Sequence, residues 1–296
     1  MKKILITGGS GFIGKNIAES FLAKKYQLFS PTRNELDLSS QESVDRYFHR
    51  NEFDVVIHAA VKPSHRNAKD VDNTLNTNLR MFQYLLRNKD SYGKLINLGS
   101  GAIYDNRYYQ PKMPENYAGV HVPVDDHGLC KYIVKQQIDM LPDFVDLRVF
   151  GVFGKYEDYA IRFISNAICK SLYNLPITLK QDRKFDYLWI DDLMPILDHF
   201  IQNKIMDKAY NVTPNESISL VTLANIIQKQ SGVDIPIIVG NSGLGLEYSG
   251  DNSQLKQYIP DLKFTAILES ITLLYNWYVA QKNSGVLDIN KLLVDK

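Results

Sequence analysis

Residues 4–14 read ILITGGSGFIG, an apolar stretch that ends in a glycine-rich turn and continues into a segment compatible with a helix. Gly8 permits the tight turn, Gly11 lets the backbone approach a diphosphate, and Gly14 allows the helix to pack closely on the strand. The diphosphate would contact the unpaired N–H groups at the positive end of the helix dipole. Because the motif stands in the strand–turn–helix context that it requires, it predicts a dinucleotide site.

Composition narrows the classes of protein to which the chain can belong. Its 296 residues, 45% of them hydrophobic, suffice for one large α/β unit or two small domains that share an interface. The 34 Lys and Arg residues are balanced by 33 Asp and Glu residues, so we expect no nucleic-acid partner. No apolar run is long enough to predict a membrane span. Cys130 and Cys169 form no CxxC or Cys/His pattern, so we expect no disulfide, no metal site and a cytoplasmic location.

Short apolar runs alternate with longer amphipathic segments in the first half of the chain, which is typical of a parallel sheet covered by helices. The predicted strands are Lys3–Thr7, Gln27–Pro31, Asp54–Ala59, Lys94–Leu98 and Val145–Phe150. The predicted helices are Gly14–Lys24, Gln41–Asn51, Thr74–Asn88 and Gly128–Met140. Ser39 with Glu42 predicts a capping box for the second helix, and Asp125 and Asp126 are expected to cap the fourth.

The elements become shorter after Gly154. The pattern predicts helices at 162–173, 193–202, 220–230 and 267–281, the second of them capped by Asp191 and Asp192, and strands at 176–179, 187–190, 209–212 and 236–239. We therefore expect a Rossmann-type doubly wound parallel sheet in residues 1–150. Residues 151–296 would mostly form a smaller α+β substrate-binding cap over the carboxyl edge of the sheet. A strand and a helix near residues 186–212 would return to the first domain.

With these elements, the chain resembles the extended short-chain dehydrogenase/reductase family, also called the NAD-dependent epimerase/dehydratases, which acts on nucleotide sugars. The resemblance covers almost the whole chain and is strongest to GDP-fucose synthase-like and dTDP-4-keto-6-deoxyhexose reductases. It rests on TGGSGFIG at 7–14, HAA at 58–60, Asn78, LGSGAIY at 98–104, a helix containing Lys131, RVFGVFG at 148–154 and FDYLWIDD at 185–192. The resemblance implies that the cofactor contacts Arg33 and the residues Gly8, Gly11, Phe12, Ile13, Gly14, Asp37, Leu38, Ala59, Ala60, Asn78 and Lys131.

Arg33 is the residue expected to select the cofactor. An NAD site usually places an acid about 20 residues beyond the glycines, where it binds the ribose hydroxyls. Here Arg33 lies nineteen residues past Gly14, and a guanidinium is a bidentate ligand for phosphate. The similar NADPH-dependent members also have an arginine there, so we expect NADP. Glu35 is the competing residue that would favour NAD, and an exposed Arg33 without a ligand is the third possibility.

The catalytic motif departs from that of the family. Ser100 matches the serine whose hydroxyl bonds the substrate carbonyl, but His127 stands where the family has tyrosine, one helical turn before Lys131. An imidazole exchanges protons near neutral pH, so His127 is a candidate acid. Two other interpretations stay open. The proton could come from water or from a tyrosine such as Tyr104 or Tyr117, or the site could be catalytically silent and keep its dinucleotide for structure.

The residues after Ser100 narrow the reaction that the resemblance implies. Family dehydratases carry an Asp-Glu pair there, and GDP-fucose synthases carry an acid/base cysteine at the second position, whereas this chain has Gly101 and Ala102. C4 epimerases hold NAD tightly, whereas Arg33 favours NADPH. We therefore expect an NADPH-dependent reductase of a nucleotide-activated 4-keto-6-deoxy sugar, used in deoxysugar or surface polysaccharide biosynthesis. A nucleotide-sugar C4 epimerase with bound NAD and a silent cofactor-binding protein are the alternatives.

Substrate contacts are less readable from the sequence. Gly151 stands where the family often has asparagine, and Phe185 stands where an arginine commonly contacts the diphosphate, with Arg183 as the nearby substitute. The expected substrate contacts are therefore Ser100, Gly151 and Arg183. The family resemblance also implies a homodimer through the helices predicted at 74–88 and 128–140. The first of these helices carries apolar residues at helical spacing, namely Leu75, Leu79, Phe82, Leu85 and Leu86.

Overall fold

The computed structural model describes residues 1–63 and 72–293. Its strands are β1 (Lys3–Thr7), β2 (Gln27–Phe29), β3 (Phe53–His58), β4 (Tyr92–Ser100), β5 (Phe144–Val149), β6 (Gly151–Phe153), β7 (Ile177–Asp182), β8 (Lys184–Phe185), β9 (Tyr187–Trp189), β10 (Ala209–Val212), β11 (Ile218–Ser219) and β12 (Ile237–Leu244). Its helices are α1 (Phe12–Glu19), α2 (Leu22–Lys25), α3 (Gln41–Arg50), α4 (Thr74–Arg87), α5 (Asp126–Asp139), α6 (Phe163–Leu172), α7 (Leu193–Gln202), α8 (Leu220–Ser231), α9 (Ser253–Tyr258), α10 (Ile267–Asn283) and α11 (Asn290–Leu293).

Six strands form one parallel sheet in the order β2-β1-β3-β4-β5-β10. Side chains alternate between the two faces of the sheet, so Ile4 and Ile6 enter one core cluster while Leu5 enters the other. This confirms the predicted Rossmann-type sheet with helices on both faces. The strand order reverses between β1 and β3, and an open α/β sheet binds its ligands at the carboxyl ends of the strands at such a point.

The five strands predicted in the first half are confirmed within two residues, but the first helix is not continuous. It begins at Phe12 and divides into α1 and α2 around Ser20. The Ser20 hydroxyl donates to the Ile17 carbonyl at 2.8 Å and accepts from the Leu22 N–H at 3.2 Å. The side chain thus replaces backbone bonds of a continuous helix, which is how serine competes with helical hydrogen bonding.

Two predicted caps are wrong, and one is confirmed. Ser40, not Ser39, caps α3, because the Ser39 hydroxyl donates to Asp37 instead. Asp192 does not cap α7 with its side chain, since both of its carboxylate oxygens accept hydrogen bonds from Thr265. Asp125 does cap α5, where it accepts the Gly128 N–H at 2.9 Å.

The second half of the chain builds three small two-stranded sheets besides contributing β10 to the main sheet. β6 pairs with β9 and β7 with β12 in parallel, and β8 pairs with β11 antiparallel. The larger core cluster joins both halves, from Ile4 to Leu292, and the domain boundary at residue 150 stays a prediction. Among the described residues, no helix is long and apolar enough to cross a membrane.

Candidate active site

The glycine-rich turn lies at the switch point of the sheet and leaves no room for side chains on its inner side. Gly8 has a φ of +72°, a conformation that favours glycine, and a Cβ there would lie 2.7 Å from the Ala60 Cα atom. A Cβ on Gly14 would lie 2.4 Å from the Gly8 carbonyl oxygen. Around Gly11, by contrast, the Gly8 oxygen at 3.2 Å is the single close atom that a Cβ would meet among the described residues. The turn is therefore tightly packed around Gly8 and Gly14 and open around Gly11.

The open side of this turn faces the start of α1. Gly11 is the N-cap residue, and no side chain of the described residues caps the helix. The first intrahelical bond runs from the Lys15 N–H to the Gly11 carbonyl at 3.0 Å, so the N–H groups of Phe12 and Ile13 precede the hydrogen-bonded ladder. An uncapped helix start beside an open glycine turn has the donors and the dipole that a diphosphate requires. The residues present fit a dinucleotide.

Hydrogen bonds fix the end of β3 beside the turn. The Thr7 hydroxyl bonds the His58 Nδ1 atom at 2.8 Å, and the Ala59 N–H donates to the Thr7 carbonyl at 3.3 Å. Asn78 is tied to the same loop, since its Oδ1 accepts the Lys62 N–H at 2.7 Å and its Nδ2 donates to the Lys62 carbonyl at 3.0 Å. Asn78 thus holds the loop that follows Ala59 and Ala60.

Arg33 and Glu35 follow β2 in the chain, and their side chains have different surroundings. The Arg33 side chain is 80% exposed, with its Nε atom 3.6 Å from the Asp37 carboxylate. Glu35 turns back and accepts from both the N–H and the hydroxyl of Thr32, and these bonds lower the pKa of its carboxyl group. The acid is therefore engaged within its own turn, while the guanidinium faces solvent. Leu38 is buried beside them.

Ser100 ends β4 and opens a short 3-10 helix, residues 101–103. Its Oγ atom accepts the Ala102 N–H at 3.1 Å. The start of α5 packs directly on this turn, because a Cβ on Gly128 would lie 2.6 Å from the Ala102 carbonyl oxygen. This close approach brings the His127 segment to the turn that carries Ser100.

His127 and Lys131 line a small cavity together with His58 and Asn78. The Lys131 ammonium group approaches the Leu98 carbonyl at 3.4 Å. Burial, followed by the charge of Lys131, lowers the pKa of His127 to about 4, although Asp125 acts in the opposite direction. The imidazole is therefore neutral near pH 7, and its charged form is scarce where a proton donor would be needed.

The two tyrosines that the sequence suggested as proton donors do not reach Ser100. The buried Tyr104 hydroxyl donates to Asn211 at 2.7 Å and accepts from Arg148 at 2.9 Å. Tyr117 instead packs its ring near His121. Two other tyrosines lie at the turn after Ser100, because the Tyr109 hydroxyl donates to the Gly101 carbonyl at 3.4 Å and the Tyr248 hydroxyl packs on Gly101. Sequence reasoning missed Tyr248. It follows β12 in a segment without any motif, so only tertiary structure reveals it.

An open cleft of about 490 Å³ extends from Tyr248 over the second half of the chain, a volume typical of small-molecule sites. Arg183 lies in its wall with the guanidinium 4.6 Å from the centre of the Phe185 ring. The Gly151 N–H donates to the Asp186 carbonyl, and a Cβ there would lie 2.5 Å from the same oxygen, while the contact of Gly151 with the substrate stays a prediction. Gly151 permits the close contact between β6 and β9 and offers no side chain to the cleft.

Comparison with a protein-family model gives one match, over residues 4–213, to the NAD dependent epimerase/dehydratase family. The chain is 24% identical over 253 residues to a GDP-L-colitose synthase of Yersinia pseudotuberculosis, an alignment that covers 78% of this chain and 82% of that protein. It is 32% identical over 170 residues to a GDP-L-fucose synthase of Azorhizobium caulinodans, covering 53% and 54% of the two chains.

Solved structures share this fold. A GDP-mannoheptose C4 reductase of Campylobacter jejuni with NADP bound superposes with a TM-score of 0.80 at 18% identity, over 94% of this chain and 98% of that one. A GDP-L-fucose synthetase of Naegleria fowleri bound to NADP also gives a TM-score of 0.80, at 13% identity, over 97% and 96% of the two chains.

Proposed function

This chain belongs to the NAD dependent epimerase/dehydratase family as an NAD(P)-dependent oxidoreductase, and we propose that it reduces a nucleotide-activated 4-keto-6-deoxy sugar with NADPH. The observation that carries the proposal is Arg33, a solvent-facing guanidinium beyond β2, together with the uncapped start of α1. Its chemistry suits the 2′-phosphate of NADP. In reductases NADPH enters as the reductant and leaves as NADP⁺, whereas C4 epimerases hold NAD and return the hydride to the same sugar.

The residues near Ser100 support reduction over dehydration or epimerisation. Gly101 and Ala102 carry no ionisable group that could move a proton on the sugar ring. Ser100 would bond the keto oxygen, and Lys131 would hold the cofactor at the Leu98 end of β4. NADPH supplies a hydride when it is bound. His127 was the candidate donor from the sequence, but its depressed pKa leaves it neutral at pH 7.

The substrate class rests on the cleft and on the relatives. Arg183 provides a cation in the cleft wall where a diphosphate could bind. Two of the matched relatives are named as synthases of GDP-linked sugars, and a structural neighbour is named as a C4 reductase of a GDP-linked sugar. GDP-linked keto sugars are therefore the first substrates to test.

The test is turnover with defined substrates. The purified protein is mixed with NADPH and with a GDP-linked or a dTDP-linked 4-keto-6-deoxyhexose, and NADPH oxidation is followed by absorbance. We expect oxidation with at least one of the two sugars. NADPH that stays reduced with both, under conditions where it binds the protein, would favour the silent cofactor-binding protein.

A further inference from the structure

Tyr248, from the other half of the chain, packs its hydroxyl on the turn that follows Ser100. A Cβ on Gly101, the residue after Ser100, would lie 2.6 Å from the Tyr248 hydroxyl oxygen, so this oxygen packs directly on Gly101. The Ser100 hydroxyl also lies close enough to Tyr248 to oppose the rise in the pKa of that tyrosine. A side chain at position 101 would displace the Tyr248 hydroxyl. The glycine is thus what allows a tyrosine to reach this point.

The position of Tyr248 is fixed on several sides. Its N–H donates to the Lys184 carbonyl at 2.9 Å, and its carbonyl accepts the Asp186 N–H at 3.1 Å. Its ring lies 4.9 Å from that of Phe150 and 5.3 Å from that of Tyr109, centre to centre. The backbone and the ring are both held, and the side chain lines the open cleft.

We propose that Tyr248 positions the Ser100 hydroxyl and supplies through it the proton that the reduction consumes. The inference rests on the proposed function. The Ser100 oxygen has two lone pairs, one of which accepts the Ala102 N–H. When the second accepts the Tyr248 hydroxyl, the single proton of Ser100 is left to bond the keto oxygen of the substrate.

The reaction balances through this route. A hydride from NADPH adds to the keto carbon, and the C=O double bond becomes a single bond whose electron pair goes to oxygen. The Ser100 proton moves to that oxygen, and the Tyr248 proton replaces it on Ser100. The phenolate regains a proton from water in the open cleft. The net change converts the ketone, NADPH and one proton (H⁺) into the alcohol and NADP⁺.

Charges around the two candidate donors predict different pH dependences. Burial raises the pKa of Tyr248 to about 12; Ser100 and Arg162 oppose this rise, and Tyr104 and Asp186 add to it. Tyr109, whose ring lies beside that of Tyr248, also has a raised pKa. The phenol is thus protonated throughout pH 7 to 9. His127, facing Lys131, Asp125 and Arg162, titrates near pH 4, so an imidazolium donor would lose about tenfold in kcat per pH unit above that value.

The kinetic test compares Tyr248→Phe with Tyr275→Phe, a half-buried tyrosine of α10 outside the cleft. We expect Tyr248→Phe to lower kcat by about 10²–10⁴ with little change in KM, and Tyr275→Phe to keep wild-type kcat. Wild-type kcat should be flat between pH 7 and 9. A Tyr248→Phe variant with wild-type kcat, or a wild-type kcat that falls about tenfold per pH unit, would overturn the proposal.

A second readout needs neither cofactor nor substrate. In protein labelled at the tyrosine ring carbon that bears oxygen, the Tyr248 NMR signal is assigned by its loss in Tyr248→Phe. We expect Ser100→Ala to shift this signal and Ser231→Ala, at the end of α8, to leave it unchanged. If the Tyr248 signal did not shift in Ser100→Ala, the proposed hydrogen bond between Tyr248 and Ser100 would be overturned. A wild type that oxidises no NADPH would overturn the proposed function and the proton route with it, while the NMR result still decides the hydrogen bond.

Discussion

At the scale of single residues, we expect Arg33 to determine the choice of cofactor. Its exposed guanidinium is expected to bind the 2′-phosphate of NADP, a hydrogen bond to a charged group worth about 1.5–3 kcal/mol. We therefore expect NADPH to bind about 10- to 100-fold more tightly than NADH, and Arg33→Ala to remove the difference. Calorimetric titration of both reduced cofactors measures this.

Glu35→Gln is the matched control for Arg33. Because the Glu35 carboxylate is bonded to Thr32, this variant should keep the preference for NADPH. If the wild type bound both cofactors equally, or if a preference for NADH persisted in Arg33→Ala, the epimerase alternative would regain its support.

At the scale of elements, the site depends on how closely α1 packs on β1. A methyl group at position 14 would meet the Gly8 carbonyl, so Gly14→Ala must push the helix away from the turn. We expect a loss of about 1–3 kcal/mol in the free energy of unfolding together with a marked loss of NADPH affinity. Chemical denaturation and calorimetry measure the two quantities.

Gly232→Ala serves as the control for Gly14→Ala. Gly232 ends α8 with a φ of +69°, and a Cβ there would meet no atom of the described residues within 4 Å, so alanine should cost about 1–2 kcal/mol by backbone strain alone. Its NADPH affinity should be that of the wild type. Equal losses of affinity in both variants would mean that stability, and not the packing of α1, governs binding.

The sequence predicts helices and strands well, but it predicts poorly which residues make tertiary contacts. Apolar periodicity located the main strands, and the glycine spacing located the turn, because both signals are local. The shift of the cap from Ser39 to Ser40 depends on Asp37, which captures the Ser39 hydroxyl. Tyr248 lies about 150 residues from Ser100, and no local pattern carries that contact.

At the scale of the whole molecule, α4 and α5 pack on each other and have apolar residues left partly uncovered. Phe82 and Leu85 are buried against the sheet, whereas Leu75, Leu79 and Leu86 are half-buried. We expect these residues to form a homodimer contact, so that Leu79→Glu yields a monomer in light scattering at micromolar concentration. Leu273→Glu, on the exposed face of α10, should remain dimeric. A monomeric wild type would contradict this expectation.

The measurement that tests the central claim most directly follows the hydride. NADPH with both hydrogens at C4 of the nicotinamide replaced by deuterium is incubated with the protein and a GDP-linked 4-keto-6-deoxyhexose, and the sugar is examined by mass spectrometry and NMR. A reductase transfers one deuterium to C4 of the sugar for each NADPH oxidised, and we predict this result. A sugar that changes configuration without taking up deuterium or consuming NADPH would contradict the account and identify an epimerase.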